Sequence, residues 1–172
     1  MTIHVVIPVF NRLALTQSLI ACLRRQVVEH PIKLLVVDDG STDGTGEWLS
    51  EQSDIEVMNG DGNLFWGGAV DLAVRHILAR NSPDDWVLLM NNDTTISDDF
   101  VQRMLDAALA CAPAAVGSVI RDIALRSRLL SIGARLDAWR LLTSDIIDAL
   151  ELAVEDDEDA AADGQLATPE FD

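Results

Sequence analysis

The chain has 172 residues, 49% of them hydrophobic and 24% charged, enough for one domain with a real core or for one domain and a tail. Its net charge of −17 argues against DNA, RNA or anionic lipid as non-specific partners, because a polyanion is repelled within a Debye length. A nucleotide is not excluded, since a few backbone amides and one bound cation hold a small phosphate whatever the global charge.

From Asp145 onward there are eleven acidic side chains and no Lys or Arg, so the acidity belongs mostly to the C-terminal segment. Cys22 and Cys111 fall on apolar helical positions without metal-ligand spacing, which predicts two buried thiols in a reducing compartment. Met1 to Val9 lacks the basic start and long apolar region of a signal peptide, and no apolar run approaches a membrane span. The expectation is a cytoplasmic protein with no transmembrane segment.

Ile3 to Val9 is β-branched and apolar apart from His4, with Pro8 near its end, and reads as a first strand closing at Phe10-Asn11. Leu15, Leu19, Ile20, Cys22 and Leu23 recur at helical spacing, predicting a helix from Leu13 to Gln26. Ile32 to Val37 is the next strand, then a short helix from Gly46 to Gln52 burying Trp48 and Leu49, capped by Asp43. Ile55 to Met58 reads as a third strand. Ala69 to Arg80 is a helix with Val70, Ala73, Val74, Ile77 and Leu78 on one face.

Trp86 to Met90 is a run of five apolar residues, as in a strand buried on both faces of a parallel sheet. Ser97 or Asp98 caps a further helix carrying Phe100, Val101, Met104, Leu105, Ala108 and Leu109, which Pro113 stops. Ala115 to Ile120 is the expected fifth strand. Ile123 to Leu142 suits a short hairpin or a helix, a helix could reach Leu152, and Glu155 to Gly164 has the composition of a solvated, mobile segment. Strands alternating with helices predict an α/β fold, a mostly parallel sheet with helices on both faces.

Three polar turns follow the second, third and fourth strands, and therefore meet at the carboxyl edge of the sheet, where ligands bind in open α/β folds. In Asp38-Asp39-Gly40-Ser41 one carboxylate suits the base or ribose of a nucleotide, against a purely local role in a tight turn. In Gly60 to Gly68 the glycines allow close backbone approach to a ligand and an indole can pack on a sugar or base face. The alternative is a flexible loop whose Phe65 and Trp66 tuck into the core. Gly60, Asn63 and Trp66 are its candidate binding residues. Asp93 is the leading candidate for a metal ligand, with Asn91 and Asn92 able to orient a metal-bound water; the competing explanation of Asn91-Asn92-Asp93 is a strand-ending turn. His4, His30 and His76 share no spacing. No dinucleotide, P-loop or nucleophile-elbow motif is present.

Val6-Ile7-Pro8-Val9-Phe10-Asn11-Arg12, Val36 to Thr45, Gly60 to Gly68 and Leu89-Met90-Asn91-Asn92-Asp93 together resemble family 2 glycosyltransferases of the GT-A fold, the third stretch most like the rhamnosyltransferase-type branch that builds bacterial surface polysaccharides. The resemblance implies a UDP- or dTDP-sugar donor, Mg²⁺ or Mn²⁺, and inverting transfer to a hydroxyl of a saccharide or lipid-linked acceptor. It implies further that Pro8 and Phe10 line the nucleotide site, that Asp39 holds the base and that Asp93 ends the family's Asp-x-Asp-type motif, whose first acid is Asn91 here. A peripheral position at the inner membrane face and a homo-oligomer are both compatible with it.

Family members continue through an acceptor-side segment carrying the general base. The expectation is therefore a nucleotide-sugar-binding core over 1–122 and an incomplete acceptor-side region with an acidic tail over 123–172, a chain shortened before its catalytic base. Rival expectations are a sugar nucleotidyltransferase, disfavoured because Pro8 to Arg12 has no glycine, and a non-catalytic nucleotide-binding or assembly module pairing through an open sheet edge.

Overall fold

The computed structural model describes residues 1–80, 82–111, 115–122, 124, 129–131, 134–137 and 142–145. Four strands, β1 (Ile3–Val9), β2 (Ile32–Asp38), β3 (Ile55–Asn59) and β4 (Trp86–Leu89), form one sheet in the order β3-β2-β1-β4. All of its pairings are parallel. Each crossover carries a helix: α1 (Leu13–Arg24), α2 (Thr45–Ser50) and α3 (Phe65–Leu78), with α4 (Phe100–Cys111) after β4.

The apolar runs of β1 and β2 are continuous because both faces of the sheet are covered. Ile3, Val5, Ile7, Val9, Leu34 and Val36 pack against Leu19, Ile20 and Leu23 of α1, Leu49 of α2 and Val101 and Leu105 of α4. Val6, Leu35 and Val37 point to the other face, under Ala69, Ala73 and Ile77 of α3. This is the α/β architecture expected from the alternation of elements.

Contacts divide the chain into two units, 1–106 and 107–172. Among its described residues the second holds two short antiparallel pairs. In one, β5 (Ile120–Arg121) pairs with β6 (Leu129–Ser131); in the other, β7 (Ala134–Asp137) pairs with β8 (Leu142–Asp145). The helix suggested up to Leu152 and the segment Glu155 to Gly164 lie outside the described residues. No helix among the described residues is long and apolar enough to cross a membrane.

Several local expectations are corrected. Val87 and Leu89 of β4 are exposed, because β4 is the outer strand of this sheet and α3 packs chiefly over β1 and β2. Residues 115–119 form no strand, and only Ile120–Arg121 pairs, with β6 rather than in the four-stranded sheet. Cys111 is exposed while Cys22 is buried. Leu78 is also exposed, leaving Ala69, Ala73 and Ile77 as the buried stripe of α3.

Helix starts are set from a distance. Asp43 Oδ2 accepts the Leu13 N–H of α1 at 2.9 Å while its Oδ1 accepts from Thr45 of α2, so one carboxylate ties two helix beginnings together. The Thr45 hydroxyl, and then the Leu13 N–H, hold the Asp43 carboxyl below the usual carboxylate range. At α4 neither Ser97 nor Asp98 supplies the side-chain cap: Gln26 Oε1, from beyond the end of α1, accepts the Val101 N–H at 2.8 Å. Helix α3 begins four residues earlier than expected. Gly67 and Gly68 lower its intrinsic helix propensity, but the Asp39 carboxylate accepts the Phe65 N–H at 3.0 Å and anchors the first turn.

Candidate functional site

A cavity of about 570 Å³ opens at the carboxyl edge of the sheet, within the range of small-ligand sites. Pro8 to Arg12 line one side as β1 passes into α1. Asp39, Gly62, Phe65, Trp66 and Ala69 line a second side, and Asn91, Asn92 and Asp93 line the third as the chain leaves β4. The parallel register is what brings them together: β1 pairs along its whole length with β2 and through Ile3–Val6 with β4, so all three turns emerge on the same edge.

Of the residues singled out from the sequence, Pro8, Phe10, Asp39, Trp66, Asn91, Asn92 and Asp93 line this cavity, whereas Asp38, Gly60 and Asn63 do not. Asp38 is buried and its Oδ1 accepts the Ser41 N–H at 3.0 Å, closing the turn after β2. Asn63 is exposed and donates its backbone N–H to Asp61 Oδ1 in a local Asx turn. Gly60 sits behind the lining; its N–H bonds Asp38 O at 2.8 Å, and a Cβ there would meet Asp39 Oδ1 and come within 2.7 Å of Leu64.

Asp39 is only 6% exposed, and both of its oxygens have backbone partners, the Gly62 N–H at 2.9 Å and the Phe65 N–H at 3.0 Å. It therefore shapes the glycine loop. A carboxylate offers about four lone-pair sites, so acceptor capacity remains toward the cavity. Asn92 is also buried, its amide donating to Thr16 Oγ1 at 3.1 Å, and acts as a bracket between the β4 loop and α1. Asn91 Oδ1 accepts from the Trp66 indole Nε1 at 2.9 Å. That bond holds an indole that is otherwise 54% exposed, and Phe65 beside it is 79% exposed, so neither aromatic tucks into the core. Phe10 is exposed as well, which gives the mouth three aromatic faces.

Asp93 is half-exposed and pairs with Arg12, Nη1 to Oδ2 at 2.9 Å. Arg12, Asn11 and Gly62 belong to the lining but were not picked out as site residues from the sequence. A basic residue directly after the first strand was the available signal for Arg12. Nothing local in the sequence announces that it faces an acid 81 positions away. Among the described residues no three His, Cys, Asp or Glu side chains gather as a metal cage. Any cation here would rest on Asp93 and on oxygens of its ligand.

A parallel sheet in the order β3-β2-β1-β4, helices on both faces and a cleft at the carboxyl edge define an α/β domain of the GT-A type. The chain is similar in fold to a solved structure titled "Crystal structure of S. aureus TarS 1-349", with a TM-score of 0.51 at 18% identity over 73% of this chain and 43% of that one. The chain belongs to glycosyltransferase family 2, as the family model "Glycosyl transferase family 2" matches residues 4–147.

Curated relatives include the N-acetylglucosaminyl-diphospho-decaprenol L-rhamnosyltransferase of Mycobacterium tuberculosis, 31% identical over 102 residues, covering 55% of this chain and 33% of that protein. The O-antigen chain rhamnosyltransferase RfbN of Salmonella typhimurium is 30% identical over 99 residues, covering 57% of this chain and 30% of RfbN. The chain thus spans about a third of the length of these relatives. The family, expected from four motifs, is borne out, and these relatives of the chain are rhamnosyltransferases.

Proposed function

We propose that this chain binds the donor of a glycosyl transfer, a UDP- or dTDP-linked sugar, together with Mg²⁺ or Mn²⁺, and serves inverting transfer to a hydroxyl of a saccharide or lipid-linked acceptor in bacterial surface polysaccharide synthesis. The observation that carries this reading is the convergence of Asp39, Trp66 and Asp93 on one cavity at the carboxyl edge of a parallel sheet. The rhamnosyltransferase relatives favour a deoxyhexosyl donor.

The residues fit a shared cation. Magnesium is commonly held by one or two carboxylates with substrate phosphates and water completing its shell, and Asp93 supplies one carboxylate at the cavity. When bound, the cation would neutralise charge on the departing diphosphate. Asp39, with its oxygens fixed by two backbone donors, is oriented to accept from a base N–H. Phe10, Phe65 and the Asn91-anchored Trp66 offer flat apolar faces to the base and sugar. In this reading residues 1–122 form the donor-binding core and 123–172 belong to the acceptor side. A cytoplasmic location, at or near the inner membrane face, suits a nucleotide-sugar donor.

The test is calorimetric titration with UDP and dTDP, each with Mn²⁺ and with EDTA. Metal-dependent binding of one nucleotide is expected, and its loss in Asp93→Ala. Unchanged affinity in that variant would remove Asp93 from the site. If neither nucleotide binds, the donor reading fails and an assembly module is favoured, for which the exposed Val87 and Leu89 of β4 are the relevant surface.

A further inference from the structure

Among the described residues lining the cavity Arg12 is the one basic side chain, and the turn that presents it is held against its own preference. Asn11 and Arg12 both take left-handed backbone angles, φ 60° and 65°, which non-glycine residues adopt only when the surroundings over-determine them. Here they do. The Asn11 N–H donates to Ser41 Oγ at 2.7 Å, Asn11 Oδ1 accepts the Thr42 N–H at 2.8 Å, and the next residue, Leu13, is tied to Asp43. The β2 turn thus clamps the β1 turn, and Arg12 is directed across the cavity mouth to Asp93.

Stability does not account for that arrangement, because an ion pair whose partners are 58% and 44% exposed contributes little to folding. The electrostatics of ligand entry do. The two carboxylates among the described lining residues, Asp39 and Asp93, oppose an incoming diphosphate, and both Asp39 oxygens are already engaged by backbone N–H groups. Arg12 uses one nitrogen on Asp93, and a guanidinium has five N–H donors in a planar fork suited to phosphate oxygens.

We propose that Arg12 is a diphosphate-binding residue of this site, which passes its guanidinium from Asp93 to the donor's phosphates when nucleotide and cation enter together. The proposal rests on the donor-site reading above. Its consequence is coupling: Asp93 is released to a cation only as Arg12 finds phosphate, so nucleotide and metal each assist binding of the other.

The experiment is calorimetry on the full chain and on R12M, R12K, D93N and R12M/D93N, titrated with UDP and dTDP in Mn²⁺ or EDTA, and with uridine and thymidine. R12M is expected to weaken Mn²⁺-supported nucleotide binding by about tenfold to a hundredfold, the loss of a charge-assisted bond to phosphate. R12K should recover part of it, and nucleoside binding should stay at the parent level. D93N should bind nucleotide more tightly than the parent in EDTA, because Arg12 is freed, and R12M/D93N should lack that gain. Parent-like affinity of R12M in Mn²⁺ overturns the assignment and leaves the donor site standing. Equal weakening for nucleosides, or a gain retained in R12M/D93N, overturns it too. Failure of the parent chain to bind either nucleotide removes both readings.

Discussion

Replacing Asp39 by Ala should damage the fold as well as the site. The carboxylate is buried and accepts the N–H groups of Gly62 and Phe65, so one side chain from the end of β2 holds the glycine loop and the start of α3. Bonds to a charged acceptor are worth about 1.5–3 kcal/mol each, and the two here share one anchor and border an open cavity that water can enter. The expected cost of Asp39→Ala is therefore about 2–4 kcal/mol. With a urea slope of about 1–3 kcal/mol per molar, the unfolding midpoint should fall by roughly 0.7–4 M. Asp39→Asn keeps one acceptor but turns an NH₂ toward a backbone N–H, and should lose about half as much. The assay is urea unfolding followed by circular dichroism, with nucleotide affinity measured on the same samples. Loss of affinity with an unmoved midpoint in Asp39→Ala would refute the structural role argued for this carboxylate.

Gly60→Ala places a Cβ 3.0 Å from the Asp39 Cα, against Asp39 Oδ1 and within 2.7 Å of Leu64, so backbone must shift; a cost of about 1–3 kcal/mol is expected as a lowered thermal midpoint, and an unchanged midpoint would show the loop free to adjust. Gln26→Ala removes the acceptor for the buried Val101 N–H and should cost about 1–2 kcal/mol, as loss of a helix cap does; hydrogen exchange at Val101 should quicken, and unaltered protection would count against the cap. A hydrogen bond from the Thr2 N–H, assisted by His4, holds the Asp85 carboxyl below the usual carboxylate range. A depressed carboxylate adds stability that is full above its unfolded value near pH 4 and lost as pH falls through the lower folded value. Wild type should therefore exceed Asp85→Asn in urea midpoint at pH 6, and the gap should narrow below about pH 4; a gap independent of pH would dismiss this linkage.

The alternation of apolar runs with helical periodicity determined the class of fold, because strands covered on both faces must be apolar throughout and parallel strands need crossovers. Ile3–Val9 and Ile32–Asp38 were legible for that reason. The gathering of Asp39, Trp66 and Asp93 followed too, since turns after parallel strands share one edge. Strand order and long-range partners were another matter. That β4 is the outer strand of the described sheet, leaving Val87 and Leu89 exposed, depends on which strands pair, and a five-residue apolar run does not encode its neighbour. Helix α3 begins at Phe65 rather than Ala69 because a carboxylate 26 residues earlier accepts its first N–H, against the local preference of Gly67 and Gly68. Asn63 was a candidate ligand residue and lies in an exposed turn, while Arg12 was given no role by the sequence and faces Asp93. Composition and periodicity report what each residue prefers for itself. Only the folded chain decides which side chains, 30 or 81 positions apart, supply one another's missing charge or hydrogen bond.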